Sequence, residues 1–235
     1  DVIYVPTDYL TIQEAINHAN PGDMVFVYNG TYQENILINK SVTLIGEDRE
    51  TTIIDGGEKG SVIFVTANNV NINGFTIQKS GTALYDSGIL VDHSNSNNIS
   101  QNKITNNYHG IYLSYSRYNT VSGNDVYSNT INGISLDSSN DNLVSGNNVY
   151  SNNVNGIRIS FSSDNIVSDN NIFLNNVNGI RLSSSSRNIV SSNNVYSNIY
   201  GIRLDSSSDN NTIYHNNFNN TDQVRTDSVN FWDYN

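Results

Sequence analysis

Short apolar alternations recur along most of the chain at a fixed period. The motif Gly-Ile-x-Leu, with close variants, begins every 22 or 23 residues, at Gly88, Gly110, Gly133, Gly156, Gly179 and Gly201. Each period holds two further apolar alternations, separated from the first by Asn, Gly and Ser. Alternation at every second residue is typical of strands, and the frequent breaks leave no room for an amphipathic helix. Each period therefore predicts three short strands.

The repeat also predicts how these strands are assembled. Leucine-rich repeats have a similar period, but they need several Leu per repeat and a helical return segment, which the Asn- and Ser-rich returns do not supply. Parallel strands joined by short connections are expected to wind right-handedly. The predicted fold class is thus all-β, a single-stranded right-handed parallel β-helix with three-strand coils of 22–23 residues.

One domain is predicted to span residues 1–235. Its parts are an N-terminal strand and cap helix (1–24), irregular coils (25–87), regular repeats (88–217) and a C-terminal cap or tail (218–235). The cap helix is predicted from Tyr9 to Asn20, where Ile12, Ala15, Ile16 and Ala19 share one face and Pro21-Gly22 follows. Such a helix would cover the open apolar end of the solenoid.

Stacking equivalent residues predicts columns along the solenoid. Ile111 and Leu113 are expected to lie inside, on the corresponding residues of the following coils. One Asn recurs at a turn, where stacked amides can bond to each other and to the backbone. We interpret these residues as structural: Asn124, Asn147, Asn170, Asn193 and Asn216.

Composition narrows the choice of partners. The formal net charge is −11 and the pI is about 4.5, which argues against nucleic acid as a partner, since phosphate binding needs a clustered basic surface. No Cys is present, and one Met and four scattered His are few potential ligands for a copper site. No apolar run approaches the roughly 20 residues needed to span a bilayer, so no membrane span is expected.

Several segments resemble known β-helix families. The stretches Thr11-Ile-Gln-Glu-Ala-Ile, Pro21-Gly-Asp-Met-Val-Phe-Val, Gly30-Thr-Tyr-Gln-Glu-Asn-Ile and Ser41-Val-Thr-Leu-Ile-Gly resemble the opening of pectin-methylesterase-like and NosD-like proteins. The repeats, with Tyr214-His-Asn-Asn-Phe and Phe231-Trp-Asp, resemble the NosD-like, pectin-lyase-like repeats common in archaeal cell-surface proteins. The resemblance implies the fold and a secreted or cell-surface location. It does not fix an activity, because these families include esterases, lyases, binding modules and surface-layer components.

Two outward columns follow from the Gly-Ile-x-Leu-x strand, because side chains alternate between the two faces. They contain Leu90, Tyr112, Ser135, Arg158, Arg181 and Arg203, and next to these Asp92, Ser114, Asp137, Ser160, Ser183 and Asp205. Guanidinium groups match carboxylate and sulfate, which predicts a strip that binds acidic glycan. The residues proposed to bind glycan are Tyr112, Asp137, Arg158, Arg181, Arg203 and Asp205. The alternative is a solvated, partly paired surface, in which Arg158 leans diagonally to Asp137 and Arg203 lies on the same strand face as Asp205. This pairing would leave Arg181 the least compensated arginine.

A third outward column is aromatic over four successive coils: Tyr127, Tyr150, Phe173 and Tyr196. Stacked aromatic side chains stabilise a sheet surface by themselves. The same column could also contact sugar rings or a second subunit, so self-association through this face or through the ends of the β-helix is a further hypothesis.

Two functions remain open on the sequence alone. The first is an extracellular cell-surface β-helix module that binds polysaccharide or serves as a structural component of the cell envelope. The alternative is a polysaccharide lyase or glycoside hydrolase acting on an acidic glycan. No catalytic residue is assigned. Asp92 and Asp137 lie two coils apart, near the upper limit for a pair of glycosidase carboxylates. No metal site is predicted. A bound Ca²⁺ is possible under the lyase alternative, where it would help to neutralise the acidic sugar.

Overall fold

A computed structural model describes residues 1–205 and 207–232 of the chain. It confirms the predicted parallel β-helix: coils of three short strands, with each strand paired in parallel to its equivalents in the coils before and after. The described residues contain one helix, which lies at the N-terminal end.

The N-terminal part contains one helix and nine strands of three or four residues. They are β1 (Val2–Val5), α1 (Ile12–His18), β2 (Met24–Val27), β3 (Gly30–Gln33), β4 (Ile36–Ile38), β5 (Thr43–Gly46), β6 (Thr52–Asp55), β7 (Ile63–Val65), β8 (Asn71–Asn73) and β9 (Thr76–Gln78).

The regular repeats follow, each with one six-residue strand and two three-residue strands. They are β10 (Ser87–Asp92), β11 (Asn98–Ser100), β12 (Lys103–Thr105), β13 (His109–Ser114), β14 (Thr120–Ser122), β15 (Asp125–Tyr127), β16 (Asn132–Asp137), β17 (Leu143–Ser145), β18 (Asn148–Tyr150), β19 (Asn155–Ser160), β20 (Ile166–Ser168), β21 (Asn171–Phe173), β22 (Asn178–Ser183), β23 (Ile189–Ser191), β24 (Asn194–Tyr196), β25 (Tyr200–Asp205), β26 (Thr212–Tyr214) and β27 (Asn217–Asn219). After them come β28 (Asp222–Thr226) and β29 (Phe231–Trp232).

The strands form three sheets that run the length of the solenoid. The first sheet has the order β1-β2-β5-β8-β11-β14-β17-β20-β23-β26-β29. The second has the order β27-β24-β21-β18-β15-β12-β9-β6-β3, and the third β28-β25-β22-β19-β16-β13-β10-β7-β4. We name the connections by the sheets they join: turn 1 from first to second, turn 2 from second to third, and turn 3 from third back to first.

Aliphatic side chains fill the interior in columns. Ile111 and Leu113 pair in register with Ile134 and Leu136, as predicted, and all four are fully buried. The same register continues to the last regular coil of the third sheet. The first and second sheets add Val or Ile at each coil, so the core is one continuous cluster.

The turns are built from a left-handed residue followed by a buried polar residue. At turn 1, for example, Gly146 has φ 65° and Asp169 has φ 58°, and each precedes a ladder asparagine. Most of the residues in this left-handed position are Gly, Ser, Asp or Asn, which tolerate it best. The backbone conformation of the turns therefore favours small or polar residues at the left-handed position of each turn.

Three asparagine ladders hold successive coils together, one along each turn. The predicted ladder at turn 1 is confirmed and begins one coil earlier, at Asn102. Two more occupy the other turns: Asn107, Asn129, Asn152, Asn175, Asn198 and Asn220 at turn 2, and Asn119, Asn142, Asn165, Asn188, Asn211 and Asn230 at turn 3. A serine ladder from Ser94 to Ser208 also runs along turn 3.

Each ladder asparagine satisfies several buried groups at once. Asn170 donates from its backbone nitrogen and from Nδ2 to Oδ1 of Asn193, at 3.0 and 2.9 Å. Its Nδ2 also donates to the carbonyl oxygen of Val144 at 2.9 Å, and its own Oδ1 accepts from Asn147. All the amides of a ladder point the same way, so neighbouring bonds polarise one another.

The ends of the solenoid differ in construction. The N-terminal helix is shorter than predicted, Ile12–His18, and begins at the N-cap Thr11, whose hydroxyl accepts from the Glu14 N–H. Ile12, Ala15, Ile16 and Ala19 are buried against the first coil, as expected of a cap. The segment 218–232 instead adds another coil, because β28 pairs with β25 and β29 pairs with β26.

Neighbouring asparagines allow a test of the ladders. Asn170→Ala is expected to lower the free energy of unfolding by about 2–4 kcal/mol, because several buried polar groups lose their partners at about 1–3 kcal/mol each. Asn171→Ala, which removes only an outward amide that accepts from Asn194, is expected to cost about 0.5 kcal/mol. Urea unfolding followed by circular dichroism measures both. Equal losses for the two variants would contradict a special role for the buried ladder.

Candidate functional site

The outer face of the third sheet carries the predicted strip. Parallel register places Arg158 beside Arg181, and Arg181 beside Arg203, on successive strands β19, β22 and β25. Asp137 and Asp205 lie in the adjacent column, on β16 and β25. Successive strands are about 4.8 Å apart, so each guanidinium group can reach the neighbouring coil. The structure thus brings all the predicted arginines and carboxylates onto one face.

The first arginine of the strip is held loosely. Arg158 Nη1 lies 3.5 Å from Asp137 Oδ2, across one coil, and its Nη2 donates to the Ser160 hydroxyl at 3.0 Å. The pairing of Arg158 with Asp137 agrees with the sequence prediction. The distance is long for a charge-assisted hydrogen bond, which is typically about 2.7–2.9 Å.

Asp205 bridges the next two arginines. Arg181 Nε donates to Asp205 Oδ2 at 3.0 Å, and Arg203 Nε donates to Asp205 Oδ1 at 2.7 Å. The expectation that Arg181 is the least compensated arginine is therefore wrong, because its side chain reaches forward to the carboxylate of the following coil. Both arginines donate these hydrogen bonds from Nε alone. Within the part of the chain that the structure describes, no acceptor engages their Nη groups, which leaves four N–H donors on each side chain.

The strip extends one coil further than the sequence reading placed it. Arg225 on β28 pairs in register with Arg203, and its Nη1 donates to the Tyr200 hydroxyl at 2.8 Å. Its guanidinium group also lies over the Tyr200 ring, 5.2 Å from the centroid. The Gly-Ile motif does not predict Arg225, because Gln-Val replaces Gly-Ile in the last coil. The 22-residue spacing from Arg203 would have predicted its position. We call Arg158, Arg181, Arg203 and Arg225 the arginine column.

Tyr112 lies behind the strip rather than on its surface. Only 4% of it is exposed, because the turn 2 segment 79–86 is longer than in later coils and brings the Tyr85 ring over it, edge-on at 5.7 Å. The Tyr112 hydroxyl donates to Asp137 Oδ2 at 3.0 Å. Burial and the nearby Asp137 carboxylate raise the pKa of Tyr112 well above its usual value, so it remains a neutral phenol.

A hydrogen-bonded chain of four side chains runs beside Tyr112, and the sequence reading did not find it. Asn178 Nδ2 donates to Asn155 Oδ1 at 2.6 Å, and Asn155 Nδ2 donates to Asn132 Oδ1 at 2.7 Å. Asn132 Nδ2 lies 3.3 Å from His109 Nδ1, and His109 Nε2 lies 3.2 Å from the Leu84 carbonyl oxygen. These contacts require a neutral imidazole that carries its proton on Nε2. Burial lowers the pKa of His109 from 6.5 to about 4, in agreement with that state.

These groups enclose two adjoining recesses on the third sheet. One, of about 300 Å³, is lined by Asp92, Tyr112, Tyr115 and Asp137, among others. The other, of about 380 Å³, includes His109, Asn132, Arg158 and Arg181. Tyr112 is held as a phenol and both His109 ring nitrogens are engaged, so the candidate bases that line the two recesses are the carboxylates of Asp92 and Asp137. Asp92 and Asp137 lie two strands apart, about 9.6 Å.

The predicted aromatic column forms a tight stack on the second sheet. Ring centroids from Tyr127 to Tyr196 follow one another at 4.9 to 5.0 Å, with interplanar angles of 4° to 6°. The faces of Tyr150 and Phe173 are thus covered on both sides by neighbouring rings. Only the two end rings, Tyr127 and Tyr196, keep one face without a ring neighbour in the stack, which favours structural stacking over the stacking of sugar rings along the column.

Comparison with known proteins places the chain in a family. Residues 16–235 match the family described as "Periplasmic copper-binding protein (NosD)". The chain belongs to the NosD family. It is also 39% identical over 79 residues to a cell surface glycoprotein of Methanothermus fervidus, and this match spans 33% of the present chain and 13% of that relative.

Solved structures of similar fold come from diverse proteins. An ORF18 protein of Geobacillus virus E2 has a TM-score of 0.71 at 17% identity, covering 98% of this chain and 60% of its own. Pectate lyase Pel9A has a TM-score of 0.70 at 16% identity, covering 95% and 73%. An alginate lyase from Paenibacillus sp. str. FPU-7 has a TM-score of 0.54 at 15% identity, covering 98% and 95%. At these identities the likeness shows the fold alone.

The NosD family description names copper, but the residues of this chain do not fit a copper site. Soft or imidazole ligands are what copper prefers, and the chain has no Cys, one Met and four His. In residues 1–205 and 207–232, no three His, Cys, Asp or Glu side chains are close enough to hold a metal ion together. His109 has both ring nitrogens engaged, and His18 is stacked on Tyr9 at the other end of the solenoid.

Among the described residues, no helix has the length and apolar character needed to cross a membrane.

The burial of His109 predicts how stability depends on pH. The pKa of His109 is about 4 in the folded protein and near 6.5 in the unfolded chain, so between these values the unfolded chain binds the extra proton. Stability is therefore expected to fall by up to about 3 kcal/mol from His109 alone as the pH drops from about 6.5 to 4. His109→Gln should flatten this part of the profile, measured by urea unfolding at several pH values. Parallel profiles for the two proteins would show that His109 titrates normally.

Proposed function

We propose that this NosD-family protein is an extracellular cell-surface β-helix module that binds acidic polysaccharide along the arginine column of the third sheet. The observation that carries the proposal is the set of unused Nη donors of Arg181 and Arg203, on adjacent coils and fixed in place by Asp205. Planar guanidinium groups with free Nη donors bind carboxylate or sulfate through two parallel hydrogen bonds.

The distribution of charge along the strip supports an anionic ligand. From β16 to Asp227, which directly follows β28, the strands carry four guanidinium groups and four carboxylates, those of Asp137, Asp205, Asp222 and Asp227. The strip is thus neutral in total on a chain whose formal net charge is −11. Its middle strands β19 and β22 carry Arg158 and Arg181 and no carboxylate, so an acidic polymer would be repelled less at this face than by the rest of the protein.

The location of the protein is proposed from its relatives. One is named a cell surface glycoprotein and the family description is periplasmic, which supports a site outside the cytoplasm. A structural role in the cell envelope, with self-association through the aromatic column or the ends of the solenoid, is compatible with glycan binding on the third sheet. Sedimentation of the purified protein over a range of concentrations would detect such self-association.

A second candidate is an enzyme acting on acidic glycan. The observation in its favour is that Asp92, Tyr112 and Asp137 line one recess next to Arg158, and two proteins of similar fold are named pectate lyase and alginate lyase. Against it, Tyr112 is held as a phenol and both ring nitrogens of His109 are engaged, which leaves only the carboxylates of Asp92 and Asp137 as candidate bases in the recess. Incubation with pectate and alginate, followed by chain-length analysis and absorbance of unsaturated products, separates the two. Intact chains are expected; shortened chains would establish the enzyme.

Two arginines of equal charge test the binding face. Arg181→Ala is expected to weaken binding to pectate or alginate about tenfold, corresponding to the loss of one charge-assisted contact. The melting temperature should hardly change, because Asp205 remains paired with Arg203 and because exposed ion pairs contribute little to the free energy of unfolding. Affinity should also fall with added salt.

The matched control is Arg187→Ala. Arg187 lies in turn 3, paired with Asp164 through two hydrogen bonds, and its removal changes the net charge by the same amount. Binding of this variant is expected to equal that of the unmodified protein. Equal affinity of Arg181→Ala and Arg187→Ala for both acidic polymers would refute the assignment of the site to the third sheet.

A further inference from the structure

From β10 to β22, each coil leaves the third sheet through one residue with a left-handed backbone. Coil by coil this position is occupied by His93, Tyr115, Ser138, Phe161 and Ser184, with φ between 47° and 52°. In this conformation Cβ crowds the following carbonyl oxygen, so bulky side chains are rarely found there. Two of the five residues are serine and three carry a ring, so Tyr115 and Phe161 are exceptions to the steric preference rather than to the sequence of this chain.

Neither exception is explained by packing. Tyr115 is 61% exposed and Phe161 is 64% exposed, so neither side chain contributes much to the core. Tyr115 has one ring contact, with His93 at 4.9 Å. Strained positions are often found at ligand-binding sites. Exposed left-handed residues also occur at Tyr118 and Leu174, so what distinguishes Tyr115 and Phe161 is their spacing along one edge of the third sheet.

The spacing of the two side chains defines a gap. Tyr115 and Phe161 belong to alternate coils, about 9.6 Å apart, and the intervening coil carries the small Ser138. Aromatic rings on successive coils of this protein stack at 4.9 to 5.0 Å, as in the Tyr127 column. A ring-shaped ligand at the level of Ser138 would therefore lie at stacking distance from both side chains.

The surroundings of the gap are charged. Tyr115 lines the same recess as Tyr112 and Asp137. Arg158 donates to the hydroxyl of Ser160, the residue directly before Phe161, and its bond to Asp137 is the longest ion pair of the strip. A ligand that fills the gap thus meets two aromatic surfaces and the most loosely held guanidinium group of the column.

We infer that Tyr115 and Phe161 clamp one pyranose ring of the acidic polysaccharide, with the carboxylate of that sugar directed to Arg158. Uronic acids combine the two required features, an apolar ring face formed by C–H groups and a planar anion. The inference rests on the proposed function and adds a sugar subsite at the carboxyl end of the third-sheet strands.

Serine substitutions test the clamp. Tyr115→Ser and Phe161→Ser are each expected to weaken binding to pectate oligosaccharides about tenfold. Their melting temperatures should stay equal to that of the unmodified protein or rise, since Ser138 and Ser184 show that serine suits the position. Isothermal titration calorimetry and thermal melting by circular dichroism provide the two readouts.

Leu174→Ser is the matched control. Leu174 is also left-handed, at φ 56°, and 54% exposed, but it lies in turn 2 between the second and third sheets. This variant is expected to change the melting temperature in the same direction and to leave affinity unchanged. An equal loss of affinity in Leu174→Ser, or clear destabilisation by Tyr115→Ser and Phe161→Ser alone, would overturn the clamp.

Comparison with Arg181→Ala separates a failure of the clamp from a failure of the proposed function. Weaker binding in Arg181→Ala with full affinity in both serine variants would remove the clamp and leave the arginine column as the glycan site. Unchanged affinity in all three variants would remove both the proposed function and the clamp.

Discussion

The hydrogen bond between stacked asparagine side chains is the interaction on which the regular repeats of the structure depend. A three-sided solenoid must turn three times in every coil, and each turn interrupts the sheets and leaves backbone groups without strand partners. From Asn102 onward, one buried amide per turn satisfies the turn backbone, a carbonyl of the preceding coil and the amide of the next coil. Because these bonds also fix the register between coils, the three ladders help to place the outward side chains of the repeats.

This division of labour leaves the outer faces of the sheets free for function. The interior columns and the ladders determine the shape of each regular coil, whereas the outward residues of the strands need only avoid disturbing the strand pairing. On the second sheet four successive outward positions are filled by an aromatic stack, in which neighbouring rings cover each other's faces. On the third sheet four successive outward positions carry arginines, and the Nη groups of Arg181 and Arg203 have no hydrogen-bond acceptor among the described residues. The proposed glycan site therefore lies on this one face.

Much of this could be predicted from the sequence, because the repeat converts one-dimensional spacing into three-dimensional stacking. The strands, the inner columns and the turn 1 ladder follow from residues 22 or 23 apart. The pairs Arg158–Asp137 and Arg203–Asp205 follow once the repeat has placed these residues in adjacent outward columns. The two other asparagine ladders have the same period and were available to the same reasoning. Arg181 was misjudged because a long side chain can reach the next coil as easily as its own.

What the sequence could not reveal depends on departures from the repeat. Tyr112 occupies an outward position and would be exposed if turn 2 were short, but the segment 79–86 lies outside the periodic pattern and buries it beneath Tyr85. The same segment supplies the Leu84 carbonyl that completes the hydrogen bonds of His109. The irregular turn therefore converts a flat strip into a recess. Its shape follows from tertiary contacts that no spacing rule describes.

The most direct test of the account is a hydrogen–deuterium exchange footprint of the full chain, recorded by mass spectrometry with and without saturating pectate or alginate. The account predicts slower exchange in peptides containing β19, β22 and β25, with no change in β20, β23 and β26 on the first sheet, and no change with neutral dextran. Protection confined to the first or second sheet, or equal protection by dextran, would contradict the claim that the arginine column is the glycan-binding face.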